Sequence, residues 1–236
     1  MKKRCKNSEG VCQEWPKSGK LKRNMDKTLN TLGRLLKNEG GVIYAYVLTT
    51  VEKEGNCFVQ TGSAPNFQGG WITLCTCKRL MRTFRSSEGW KGVWIAGFTS
   101  VKTWGDHRNY LFYLTRAKYV FRSHKELWDW LNPQARAAKN ARLNSCGDIY
   151  EPKRTNKDEF RASEYYPPTE NHVHAGNNDW SKDIEYSSKG KRPALLVGNP
   201  DFCFLWSQPK IYFENKLPRS KKWEDIQEFI QLLVGK

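Results

Sequence analysis

The sequence predicts an α+β domain: a mixed or mainly antiparallel sheet flanked by helices, with barrel-like closure as one arrangement of that sheet. Three observations carry this. Short aromatic and β-branched runs crowd the middle of the chain, apolar residues recur at helical spacing before and after them, and Gly, Pro and Asn punctuate the runs. Only 38% of the residues are apolar, but ten Trp, ten Tyr and eleven Phe supply bulky core material. A chain of 236 residues is long enough for one good-sized core.

Residues 1–23 are polar and lysine-rich and read as a basic mobile arm, leaving 24–236 as the single α+β domain. Met25, Leu29, Leu32 and Leu36 share a helical face that stops at Gly40-Gly41. Strands are expected at Val42–Leu48, Cys57–Gln60, Trp71–Cys75, Val93–Phe98 and Tyr110–Val120. Gly55-Asn56 reverses the chain between the first two, and Gly105-Asp106 precedes the last. Ser123 and Glu126 form a capping box for a helix carrying Leu127, Trp128 and Leu131. Asn132 caps the next helix, with Pro133 in its first position and Arg136, Lys139 and Arg142 in one cationic stripe. Residues 144–193 are polar, irregular and too long for a plain connector. Strands return at Ala194–Val197, Phe202–Trp206 and Ile211–Phe213. Ser220 then caps a last helix with Trp223, Ile226, Ile230 and Leu233 on one face.

Forty Lys and Arg against 24 Asp and Glu give a net charge of +16. Such an excess favours phosphate-rich partners through counterion release, so the expected partner is nucleic acid, DNA ahead of RNA, or a nucleotide. No apolar run approaches the roughly twenty residues that span a bilayer, and no apolar stretch follows the cationic first six residues. No membrane partner and a cytoplasmic setting are therefore expected. The seven cysteines are odd in number and scattered, which reads as reduced thiols.

Several residue sets could carry chemistry. Cys75-x-Cys77 and His172-x-His174 offer zinc donor types, but a one-residue gap is unusual for joint ligation and two core thiols explain the pair as well. No metal or cofactor is assigned. Cys77 beside Lys78 and Arg82 is the candidate nucleophile, because nearby cations lower a thiol's pKa. His172 or His174, with Asp179 or Asp183, are candidate acid–base groups. Neither a P-loop nor a dinucleotide-binding glycine motif occurs. Phosphate is expected instead at Lys78 and Arg82, four apart on one side of a helical turn, with Arg79 and Arg85 close by. Phe67, Trp90 and Trp104 lie beside glycine-rich turns and are candidate stacking rings, whereas Trp94 reads as core. The expected pocket joins Asn66 and the rest of the Pro65–Arg82 run to Ser100, under a lid formed by residues 171–183. Packed rings and solvated surface cations are the alternative reading of the same residues.

Pro65-Asn66, Thr73-Leu74, Cys77-Lys78 and Arg82, followed by Trp94-Ile95, Gly97 and Ser100, resemble the nucleotide-modification-associated domain proteins. Weaker echoes occur at Gly147–Tyr150, at His172–His174 and in the strand pair around Leu195 to Phe213, so the resemblance spans roughly residues 42–213. It implies association with enzymes that modify DNA bases in phages and bacteria, and supplies no reaction. The expected function is a nucleic-acid or nucleotide protein of a base-modification system that recognises or processes a modified base. A reader module without catalysis, and a basic subunit docking an acidic partner, are the alternatives.

Overall fold

A computed structural model describes residues 14–155, 157–170, 172 and 179–235. In chain order the elements are α1 (Gly19–Arg23), α2 (Leu29–Leu36), β1 (Ile43–Leu48), β2 (Val51–Glu54), β3 (Cys57–Gln60), β4 (Thr73–Leu74), α3 (Arg79–Arg82), β5 (Trp94–Thr99) and β6 (Asn109–Phe121). There follow α4 (His124–Trp130), α5 (Pro133–Lys139), α6 (Ser181–Glu185), β7 (Leu195–Leu205), β8 (Ile211–Phe213), β9 (Ser220–Trp223), α7 (Ile226–Gln231) and β10 (Leu233–Gly235). The class is α+β, with a mixed sheet. The chain forms two compact units. The described residues up to Thr61, Gly92–Arg116 and those from Asn199 onward make the first; Gly62–Lys91 and Ala117–Gly198 make the second. β6 and β7 contribute residues to both.

In the first unit the strand order is β10-β8-β6-β5-β1-β9. β1 and β5 are parallel, with Ile43 opposite Trp94, and the other neighbours are antiparallel. Gly97 is fixed by packing: a Cβ there would fall 2.2 Å from the Tyr113 ring, whose hydroxyl meets that of Tyr46 at 2.8 Å. Three expectations change. Gly19–Arg23, placed in the mobile arm, is helical with Leu21 buried, while residues 1–13 lie outside the described residues. The Gly55 reversal joins β3 to the unexpected β2, whose Glu52, Lys53 and Glu54 gave no apolar signal. Ser220 caps no helix: it pairs with Tyr46 as part of β9, and Asp225 caps the later α7.

In the second unit β4 pairs antiparallel with β7, Thr73 opposite Val197. Cys75, Leu127, Leu131, Ala135, Ile149 and Leu195 pack as its core. Ser123 Oγ accepts from the Glu126 amide at 3.1 Å and Asn132 Oδ1 from the Ala135 amide at 2.8 Å, as the two caps predict. The cationic stripe on α5 does not form, because the helix ends at Lys139 and that side chain is fully buried. The described residues of stretch 144–193 hold more regular structure than expected. It contains α6, a turn of 3₁₀ helix at Ala162–Glu164 and a bridge between Pro152 and Tyr165.

Cys75, Cys77 and Cys203 are free thiols, but Cys57 is in a disulfide and so, separately, is Cys146. This corrects the reading of uniformly reduced cysteines, and the cytoplasmic expectation loses that support. No helix among the described residues is long and apolar enough to cross a membrane.

Candidate functional site

The Pro65–Arg82 run delivers its polar groups inward. Asn66 and Thr73 pair through their backbones, and both side chains turn toward Lys139. Lys139 Nζ donates to Asn66 Oδ1 (2.8 Å), the Trp71 carbonyl (2.8 Å) and Thr73 Oγ1 (2.9 Å). The Thr73 hydroxyl in turn reaches Asp148 Oδ1 at 3.1 Å. Asp148 is brought there by a tight loop in which its amide and that of Ile149 both donate to the Lys139 carbonyl. Gly147 permits that closure, since a Cβ would fall 2.4 Å from the Ala141 nitrogen.

Arg82 is fully buried. Its Nε donates to the Cys77 carbonyl (2.9 Å), Nη1 to Ala194 (2.6 Å) and Nη2 to Cys75 (2.7 Å). The guanidinium fork therefore ties α3 to the start of β7 and is not presented to a phosphate beside Lys78. Lys78 stands half-buried in the left-handed region at the start of α3. The expected two-cation clamp is corrected: one member is a structural pin.

A second polar group adjoins α6. Tyr150 Oη donates to Asp183 Oδ2 (2.9 Å), Arg79 lies 3.3 Å from Asp183 Oδ1, and buried His172 meets the Ser145 carbonyl through Nδ1 at 3.0 Å. Burial lowers the His172 pKa. His174 lies outside the described residues, as does most of the expected lid. Asp179 pairs with Lys182 and accepts from Ser181 Oγ at 2.9 Å, which holds it ionised near the surface. Cys77 does not have the lowered pKa that its cationic neighbours suggested. Burial raises it, and the charge of Asp183 adds to the rise. No cluster of three metal-ligating side chains occurs among the described residues.

Burial pushes Asp183 up to about 7 and Asp148 up to about 6, from an ordinary 3.8. A carboxyl raised in the fold stabilises it while protonated. That contribution is complete below about pH 4 and is lost as pH rises toward 7. His124, pushed down to about 3 by burial and by the Arg82 charge, works oppositely: its neutral form loses its benefit as pH falls from 6.5 toward 3. The two effects offset each other in the native chain, so the informative test is differential. Asp183→Asn cannot ionise and is expected to gain about 2 kcal/mol relative to wild type between pH 5 and pH 8 in urea unfolding. A pH-independent difference would mean that Asp183 is ionised in the fold across that range.

A concave feature of the second unit lies elsewhere in the sequence. A cavity of about 300 Å³ is lined by Arg85, Arg122, Lys191 and Arg192, with Phe160 between them. Ser86, Ser87 and Pro193 also line it, and among the described residues the lining contains no acid. Lys191 and Arg192 are exposed and follow a two-residue reversal, Lys189-Gly190, in which both φ are positive and Ser188 and Lys191 exchange backbone hydrogen bonds. The Arg192 guanidinium lies 4.2 Å from the Phe160 ring centroid. Arg122 is shared with Glu126 at 2.6 Å. The opposite wall, Arg85–Ser87, is held by Trp90, whose buried ring donates to the Arg82 carbonyl at 3.0 Å. Arg82 thus pins both walls, one through its own backbone and the other through Ala194.

Arg85 stood at the edge of the expected cation set; Arg122, Phe160, Lys191 and Arg192 were missed. The sequence signal for them is the Lys189-Gly-Lys-Arg-Pro193 run, a cationic turn that lies downstream of the more conspicuous histidines. Phe67 and Trp90 are buried and offer no ring to a ligand. Ser100 and Trp104 belong to the first unit. There Ser100 Oγ accepts from the Lys102 amide, and Trp104 packs edge-on against Phe58 and Tyr110. Compared with protein-family models, curated proteins and solved structures, the chain matches none.

Proposed function

We propose that this chain binds a nucleotide, or a nucleotide unit of nucleic acid, in the basic pocket of its second unit. The observation that carries the reading is the convergence of Arg85, Arg122, Lys191 and Arg192 around Phe160 in an acid-free cavity of about 300 Å³. Cations neutralise phosphate, the ring supplies a stacking surface, and the volume is at the lower end of those that hold small molecules. The chain's +16 charge adds non-specific attraction for nucleic acid. The base-modification setting comes from the sequence resemblance. A reader without a reaction is favoured over covalent processing, because the described residues that line the pocket include no Cys, His, Asp or Glu.

Titration calorimetry with nucleoside monophosphates and short oligonucleotides at low salt tests this. Lys191→Ala and Arg192→Ala are each expected to weaken binding by about 1.5–3 kcal/mol, the value of a charged hydrogen bond. Both residues are exposed, so the melting temperature should stay nearly unchanged. Affinity unaltered in the double variant would remove the pocket from consideration.

A further inference from the structure

We infer that Lys139 and Asn66 become joined by a side-chain amide cross-link within the second unit, Lys139 Nζ displacing the Asn66 amide nitrogen as ammonia while Asp148 takes up a proton. The site shares no residue with the basic pocket.

The reacting groups already touch. Lys139 Nζ lies 2.8 Å from Asn66 Oδ1, so the amide carbon, one bond further on, is within about 4 Å of the amine. A torsion in the lysine stem closes that gap to attack distance. The amide itself is held at both ends: Nδ2 donates to the Cys146 carbonyl at 2.7 Å, and Oδ1 accepts from the Gln68 amide at 3.1 Å. The Gln68 N–H thus faces the oxygen that turns negative when the amine adds to the carbon. Asn66, Thr73, Lys139 and Asp148 are all buried, which keeps water from competing as the nucleophile.

An ammonium cannot attack, so a proton must leave first, and the Thr73 hydroxyl supplies the route. Its oxygen lies 2.9 Å from Nζ and 3.1 Å from Asp148 Oδ1. Burial, which pushes Asp148 up to about 6, favours the protonated carboxyl, and the transfer removes two buried charges together. It still runs uphill from an ammonium. The reaction is therefore slow, and freshly folded chain carries the free ammonium. Of the three protons on Nζ, one goes to Asp148, one to the departing Nδ2, and one stays on the new amide. The Nζ–Cγ bond forms, the Cγ–Nδ2 bond breaks and ammonia leaves; no oxidant or co-reactant is consumed.

Mass spectrometry of the unaltered full chain, incubated folded at neutral pH and then reduced and denatured, tests this. The mass should fall short of the sequence mass by one ammonia, and a tryptic digest should yield a branched peptide joining Asn66 to Lys139. No such loss after prolonged incubation would overturn the inference. So would an ammonia loss confined to one unbranched peptide, which marks a cyclic imide. Asp148→Asn and Thr73→Val are each expected to slow cross-linking at least about tenfold. Thr73→Val keeps a β-branched residue in β4, so it supplies the readout should Asp148→Asn not fold. Cross-linking at the unaltered rate in these variants would overturn the proton route through Thr73 to Asp148.

Discussion

Arg82→Ala is expected to lose about 3–5 kcal/mol of stability, the largest effect of any single substitution considered. The residue has no solvent exposure, and its three donating nitrogens satisfy the carbonyls of Cys75, Cys77 and Ala194. Truncation leaves those acceptors buried and unpaired, and opens a cavity the length of an arginine side chain. Arg82→Lys keeps the charge but cannot reach three divergent carbonyls with one ammonium, so it should recover only part of the loss. Because Ala194 follows the pocket residues Lys191–Pro193, nucleotide affinity should fall with folding stability in both variants. Urea unfolding checks this: a loss below about 1 kcal/mol would mean that water replaces the fork.

Lys139→Met is the second large expectation, at about 3 kcal/mol. The ammonium is enclosed by Asn66, Trp71 and Thr73 and, ahead of Arg82, offsets the charge of buried Asp148. Methionine fills similar volume but leaves the carboxyl with only the weaker influence of Arg82, so Asp148 must take up a proton at a still higher pH. The double variant Lys139→Met, Asp148→Asn removes both charges and should recover a measurable part of the loss. Recovery of nothing would show that the ammonium's bonds to Asn66 and Trp71, rather than charge pairing, carry its contribution.

What was legible in the sequence was local. The Ser123 and Asn132 caps and the long runs that became β5 and β6 declare themselves within a few residues and fold as read, whereas the expected Trp71–Cys75 strand shortens to Thr73-Leu74. Ser220 has the composition of a cap, but a vacant edge beside β1, more than 170 residues earlier, takes it as strand. Lys139 looks like part of a solvated stripe. Its burial depends on acceptors contributed some seventy residues away, which helical spacing does not reveal. Arg82 had the right neighbours for phosphate, and its inward turn follows from carbonyls at Cys75 and Ala194 that have no side-chain signature. The pocket is harder still to read, since Arg85, Arg122, Phe160 and Arg192 come from four separate segments that only the tertiary fold assembles.

The most direct test of the account is backbone and side-chain chemical-shift mapping of the full chain during titration with a nucleoside monophosphate. Perturbations are expected to concentrate at Arg85–Ser87, Arg122, Phe160 and Lys191–Pro193, saturating together with one affinity. Saturating shifts centred on Ser100 and Trp104, or no saturable shift at the four pocket cations, would contradict it.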